Sequence, residues 1–547
     1  KFQSMPKRNR PFRRFLILVT FWGINHAQPN LKFHPFDWIQ YRQTGKVNSI
    51  SFSERYAYIG TQFGGIQRFN LFSNRFEEPI TRAQGLQSNS VTAVHFGSNG
   101  FLWVGTPMGI EFSYTSEGDW RFVSREVLGL QFSALIERIG ESEKDIWLDI
   151  SGSVYRLDNL TGVVTGVMSN PDVPVNWSSG LARMKLDLSN LLIEYSISGG
   201  WMTDLNSLFN PDGRQMRMTT YAQNRMNEFW IGTEDGTFFR GDPTMKTFTP
   251  YQFGLGQVDI QAIGGKDSFW LGGFLNNASS GISYFDSDRE ISDIYKFQDQ
   301  INMDPTSIFS ILELKHEVWF GGEDEILVYN SKKDFWRSYG LNISGGKSWV
   351  TNMIDVNGQI WIGSSHGLAL INIKDKKQVA HELVDQFRNI YIHDLDFGKE
   401  MIFIGTESGI YIFDTKNQKL YDGKSFGYKT KEFIYPIKYG DFTAIAQNKH
   451  NVYVANRSGI LKFNLLDRQW SNAVDASIYG GLDVKAIEVQ KNIIFISTVN
   501  GITKYNMKEH LMDIYNYPFI GQVNDMYIRG RKIWFGTSEG LISYRYK

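Results

Sequence analysis

A short pattern of apolar, glycine and polar positions returns along the whole chain. Its last copy is Ile533-Trp534-Phe535-Gly536-Thr537-Ser538-Glu539-Gly540-Leu541, and 360–368 (IWIGSSHGL), 402–410 (IFIGTESGI), 229–237 (FWIGTEDGT) and 102–110 (LWVGTPMGI) match it closely. Looser copies contain Ile59-Gly60-Thr61, Trp147-Leu148-Asp149, Leu192-Ile193-Glu194, Trp270-Leu271-Gly272, Trp319-Phe320-Gly321, Val454-Ala455-Asn456 and Ile496-Ser497-Thr498. Roughly twelve units, about 40 to 50 residues apart, is the period of propeller blades. Three successive apolar residues without strict alternation mark a strand covered on both faces, as a blade strand is by its two neighbours. The first glycine admits a close backbone approach, and the second supplies the positive φ of a tight hairpin. A further strand follows (LISYRY from Leu541, LALINI from Leu368, ILKFN from Ile460), then a polar turn and a short aromatic stretch such as DFWRSY from Asp334. Runs such as VTAVHF from Val91 and VKAIEV from Val484 precede the motif, which makes four strands per unit. The expected fold is all-β: tandem β-propellers of four-stranded antiparallel blades, about twelve in total.

A single ring of that size would leave a wide empty channel, so two rings are expected. The segment Phe36 to Arg42 (FDWIQYR) reads as a fourth strand with no first three, while the last unit reaches Tyr546 with only three strands. Such complementary ends let one terminus complete the blade begun at the other and remove an exposed edge. The halfway point is placed in the polar stretch Asp286 to Glu290, before a second lone fourth strand, ISDIYKF from Ile291. The expected division is an export-signal region at 1–27, a first propeller at 28–288 and a second at 289–547, six blades each. Phe36 to Arg42 would close the unit around Trp270, and Ile291 to Phe297 the unit around Trp534. Five plus seven blades, or two sevens, are the alternatives.

The beginning of the chain reads differently. Met5 is followed by Lys7, Arg8, Arg10, Arg13 and Arg14, an apolar run from Phe15 to Ile24, and Asn25-His26-Ala27. This is the order of a secretory signal with cleavage after Ala27, and the apolar run is well short of the ~20 residues that span a bilayer as a helix. A periplasmic or secreted protein, not membrane-embedded after signal removal, is expected. Lys plus Arg and Asp plus Glu are both 57, so no global field draws nucleic acid or an anionic membrane surface. The chain has no Cys, which excludes disulfides, thiolate metal sites and a Cys nucleophile.

The units with IWIGT followed by GL, led by segments such as Gly85-Leu86-Gln87-Ser88-Asn89-Ser90-Val91, resemble the two-component regulator propeller repeat. The resemblance covers nearly all of the chain after the signal. It implies paired propellers of the kind found in the periplasmic sensor region of hybrid histidine kinases, related propellers also occurring in exported proteins without a kinase. The kinase proteins continue into a further β domain, a membrane helix and catalytic domains, whereas the sequence here ends within its last unit, and no phosphotransfer is expected of it. The resemblance implies a non-catalytic sensor or recognition module for an oligosaccharide, peptide or protein ligand, with room for a separate membrane signalling protein as its listener.

Ligands of propellers meet the loops between second and third strands and the loops leading into first strands. The expected ligand-binding set is Phe63, Met108, Glu234, Asp235, Asn276, Asn277, Trp349, His366, Glu407, Arg457, Asn500 and Glu539, with Asn89 and Asn524 on the same face. His366 is the best single acid or base, and Glu234, Asp235, Glu407 and Glu539 are the carboxylates a glycoside hydrolase would need to pair. His381 with Glu382 and Asp385, and His393 with Asp394 and Asp396, have cation-ligand chemistry but read as solvated turns. No P-loop is present. No catalytic residue, metal or cofactor is expected, and the rival readings are a propeller hydrolase or lyase acting on polysaccharide and a scaffold subunit of an envelope complex. The repeated Trp103, Trp147, Trp230, Trp270, Trp319, Trp361 and Trp534 are expected to fill the space between blades, each contributing about 2–3 kcal/mol.

Overall fold

The structure, a computed structural model, describes residues 35–546 apart from 115–117, 132, 180–188, 205–206, 267, 276–280, 344–345, 424 and 432–439. The region read as an export signal, and Asn276 and Asn277, lie outside the described residues. Among those described, the strands form twelve sheets, seven of them four-stranded and antiparallel.

Seven sheets make one closed circuit. They are designated I (260–296), II (310–340), III (350–372), IV (392–422), V (444–475), VI (484–515) and VII (523–545). The first strand of each lies beside the first strand of the next, and the first strand of VII lies beside that of I. One apolar cluster occupies each junction. Trp319 and Val350 meet between II and III, Trp361 and Ile402 between III and IV, and Trp534 and Ile260 between VII and I. The second strand explains the unbroken apolar runs: Ile533 and Phe535 face sheet VI, while Trp534 between them faces sheet I. All seven tryptophans assigned to the core are buried.

The other sheets are A (47–80), B (93–124), C (136–177) and D (218–251), in the spatial order D-A-B-C. Between C and D in sequence come the helix Ser189–Glu194 and a three-stranded sheet of Met202–Asp204, Ser207–Phe209 and Gln215–Met216. Leu192, Tyr195 and Leu208 from these pack on the free face of D. The copy expected around Leu192 is therefore helical, because its apolar positions cover another sheet's face instead of extending a ladder.

Two sequence expectations are corrected here. The split is not six and six at residue 288, since sheet I belongs with the sheets that follow it. The lone strands are also exchanged. Trp38–Tyr41 pairs with Gly540–Arg545 and completes VII, the sheet of Trp534, while Ile291–Lys296 pairs with Gly281–Asp286 and completes I, the sheet of Trp270. A turn decides the second case. The Asp286 carboxylate accepts from the N–H groups of Asp288 and Arg289 at 3.0 and 3.1 Å, so the chain reverses at once and the local hairpin wins over a distant partner. Sheets A to D are thus inserted between the outermost strand of VII and the first strand of I.

The inserted sheets are fastened to the ring. Gln84 Nε2 donates to Trp38 O at 2.7 Å and Asn89 Nδ2 to Gln40 Oε1 at 3.0 Å, and Phe76 of sheet A stacks on Phe253 at 4.7 Å. No helix among the described residues is long and apolar enough to cross a membrane.

Candidate functional site

The motif itself builds the loop face. The hydroxyl that follows the first glycine latches the hairpin: Thr537 Oγ1 donates to Gly540 O at 2.9 Å and accepts from Glu539 N–H at 3.0 Å. Ser364 and Thr406 do the same in III and IV, each donating at 2.8 Å to Gly367 O and Gly409 O. Gly540 has a φ of +111°, and a Cβ there would lie 2.3 Å from Tyr41 O, so the turn also needs glycine to lie under the completing strand. The two residues between that hydroxyl and the second glycine supply most of the expected binding set, while Trp349 leads into a first strand.

Sheets III and IV bring three members of that set together. Trp349, 41 % exposed, donates through Nε1 to Tyr391 Oη at 3.2 Å, with the two rings edge to face. Its backbone N–H donates to Ser365 Oγ at 3.3 Å, and that hydroxyl lies 3.0 Å from His366 Nδ1. Tyr391 N–H donates to Glu407 Oε1 at 3.2 Å. His393 continues the aromatic row, 4.5 Å from Tyr391. It is not a solvated turn residue, since it stands on the first strand Ile392–Gly398. Burial, with Lys485 nearby, holds it below the usual histidine range against Asp441 and Glu407, so it presents a neutral imidazole at pH 7. Tyr391 escaped the sequence reading, although it immediately precedes Ile392 as Trp349 precedes Val350, and aligning the units would have found it.

Behind this row the first strands carry buried carboxyls that stitch sheets together. Asp394 Oδ2 accepts from Ile445 N–H at 2.7 Å across the IV–V junction, and Asp525 Oδ2 from Ile263 N–H at 2.7 Å across VII–I. Burial pushes Asp394 up to about 7 and Asp396 and Asp525 to about 6. Glu488 rises to about 8 through burial and then the neighbouring Asp525. Among the described residues no three such groups are gathered to hold a metal ion.

The remaining positions are dispersed. Glu539 pairs with Arg42, whose Nε donates to Phe63 O at 3.0 Å, so the loop faces of sheets VII and A adjoin there. Arg457 pairs with Asp483 on V and VI, Glu234 with Arg217 at 3.5 Å, and Asn500 occupies the hairpin of VI. Met108 is exposed on B. Asp235 turns into a cleft between sheet D and sheet I. Asn89 and Asn524 are structural: Asn89 is buried against Gln40, and Asn524 Nδ2 donates to Ile260 O at 2.9 Å. His381 caps the helix Glu382–Gln386 by accepting from Leu383 N–H at 3.2 Å.

With this geometry in hand, comparison with known proteins gives the following. Residues 85–108 match the two component regulator propeller family, so the chain carries that repeat, and no curated protein matches the sequence. Among solved structures, it is similar to the extracellular domain of the putative hybrid two component system BT4673 from B. thetaiotaomicron, with 14 % identity over 91 % of this chain and 69 % of that one and a TM-score of 0.39. The corresponding domain of BT3049 from the same organism gives 17 % identity over 95 % and 77 %, with a TM-score of 0.39. PorZ, a surface component of the type-IX secretion system of Porphyromonas gingivalis, gives 13 % over 91 % and 74 %, with a TM-score of 0.43.

Proposed function

We propose that this is an exported, non-catalytic recognition module whose loop face at sheets III and IV binds an oligosaccharide or protein ligand and reports its presence to a separate signalling protein. The observation that carries the reading is the half-exposed Trp349 fixed to Tyr391, with His366 and Glu407 alongside. A rigid aromatic surface ringed by hydrogen-bonding groups suits a sugar face or a peptide side chain. The propeller repeat supports the same reading, and the basic and apolar start of the sequence supports export.

The test incubates the protein with a panel of glycans and peptides while melting temperature and product release are followed together. A ligand should raise the melting temperature without being consumed, and Trp349→Ala should abolish the shift. Turnover of any panel member, lost on changing His366 or Glu407, would establish the hydrolase or lyase reading instead.

A further inference from the structure

The inserted sheets and the ring enclose a cleft of about 280 Å³ that the loop-face reading does not use. One wall comes from sheet D and the three-stranded sheet: Trp201, Asp212, Asp235 and Tyr251. The other comes from sheet I and the turn after it: Lys296 and Gln300. Its size lies near the lower end of ligand pockets, enough for a molecule of two small units.

The walls are built firmly. Trp201 is held edge to face by Phe239 at 4.9 Å, and Tyr251 packs on Phe69 at 4.7 Å and lies over Phe238 at 5.5 Å. Asp235 Oδ1 accepts from Thr233 Oγ1 at 2.7 Å and from Thr237 N–H at 3.1 Å, so its carboxylate is oriented. Gln300 Oε1 accepts from Lys296 N–H at 2.8 Å. Across the cleft Gln300 Nε2 donates to Asp212 Oδ1 at 3.4 Å, a weak contact that a ligand can replace at little loss.

Asp212, Asp235 and Lys296 line one space, and among the described residues none of the three forms an ion pair. A simple anion there would meet two carboxylates, and a simple cation would leave Lys296 unanswered. A molecule with a positive end and a negative end satisfies all three while its apolar part lies on Trp201 and Tyr251.

We propose that the cleft between the inserted sheets and the ring binds a small zwitterion of dipeptide size, its ammonium against Asp212 and Asp235 and its carboxylate against Lys296. Such a ligand would tie the inserted sheets to the ring.

The experiment is calorimetric titration of the full chain with alanyl-phenylalanine, its N-acetylated form, its C-terminal amide and the neutral disaccharide cellobiose. The free dipeptide should bind saturably, and either blocking group should weaken binding at least tenfold. Asp212→Asn and Lys296→Met should each do the same, and raised salt should weaken binding further, since exposed charges are screened. Both side chains are at least part-exposed, so these variants should melt within about 2 °C of the parent; if either does not, the blocked peptides carry the test alone. Trp349→Ala should leave dipeptide binding unchanged, which separates this site from the loop face. No binding of the free dipeptide, equal binding of blocked peptides or cellobiose, or folded cleft variants that bind like the parent would each overturn the assignment.

Discussion

The two glycines and the hydroxyl of the motif act at separate places, and each makes a distinct claim on stability. The first glycine is where the next sheet arrives: a Cβ on Gly321 would lie 2.5 Å from Val350 Cγ1, and one on Gly272 2.5 Å from Ile308 Cγ2. Gly321→Ala should therefore destabilise by about 1–3 kcal/mol through overpacking, read as a lowered midpoint in urea, whereas Ala455 already occupies the same position in sheet V. Thr537→Val keeps the shape but removes the latch on Gly540 O and Glu539 N–H, and should cost about 1–2 kcal/mol. Trp534→Ala opens a cavity at the VII–I junction and should cost about 3–5 kcal/mol, while changing ligand affinity little in the folded fraction. Trp349→Ala should behave in the opposite way, losing the ligand-induced melting shift with the unliganded melting temperature within about 2 °C of the parent, because its ring is half exposed. The Trp and Gly positions were legible in the sequence because they repeat. The Trp349–Tyr391 pair was only half legible, because an aromatic residue leading into a first strand occurs in two units and forms no run.

At the scale of the strand, sheets are joined along the axis by side chains that reach the neighbour's backbone. Thr351 donates to Ile392 O and Thr443 to Val484 O, both at 2.6 Å, and Asn524 to Ile260 O at 2.9 Å. Two positions after the leading Val or Ile, Asp394 and Asp525 accept from the next sheet. Glu488 stands close to the backbone N–H of Ile528 on the next sheet. Its carboxyl is raised from 4.5 to about 8, so the folded state holds this proton more tightly than the unfolded chain does. The stabilisation from protonated Glu488 is complete below pH 4.5, declines as pH rises from 4.5 to about 8, and is absent above that. Glu488→Gln keeps an acceptor beside Ile528 N–H without the charge. It should raise the melting temperature by several degrees at pH 8.5 and leave it unchanged at pH 4.5. His393, held low by burial, has the opposite slope near its ordinary value, so the comparison of variant with parent is more telling than the pH profile of either. These stitches were not legible beforehand, since each needs the register of two sheets that the sequence does not set side by side.

For the whole molecule, the decisive contact is the strand Trp38–Tyr41, which lies more than two hundred residues before the ring it completes. Trp38 stacks on Tyr544 at 4.1 Å and meets Tyr515 edge to face at 5.2 Å, while Tyr41 lies 4.8 Å from Phe285 of sheet I. The unfinished units at the two ends are legible in the sequence, but the lone strands complete the opposite sheets from those expected, because the turn at Asp286 to Glu290 reads in the sequence as a boundary. The same arrangement, an Asx residue ending the third strand and accepting from the N–H groups two and three residues on, recurs at Asn70, Asp242, Asp414 and Asn506, and its repetition marks an ordinary hairpin. A ring closed this way should be separable and repairable. A fragment of residues 252–546 lacks the outermost strand of VII, leaves the edge of Gly540–Arg545 unpaired and exposes Phe535 and Tyr544. It should melt about 2–3 °C below the same fragment mixed with a peptide of residues 35–43, as expected where one docked strand supplies about 1–2 kcal/mol to a domain of this size. The peptide with Trp38→Ala should restore much less. Equal melting temperatures with and without the peptide would mean that the seven sheets close through their first strands alone, and that Trp38–Tyr41 serves mainly to tether the inserted sheets through Gln84 and Asn89.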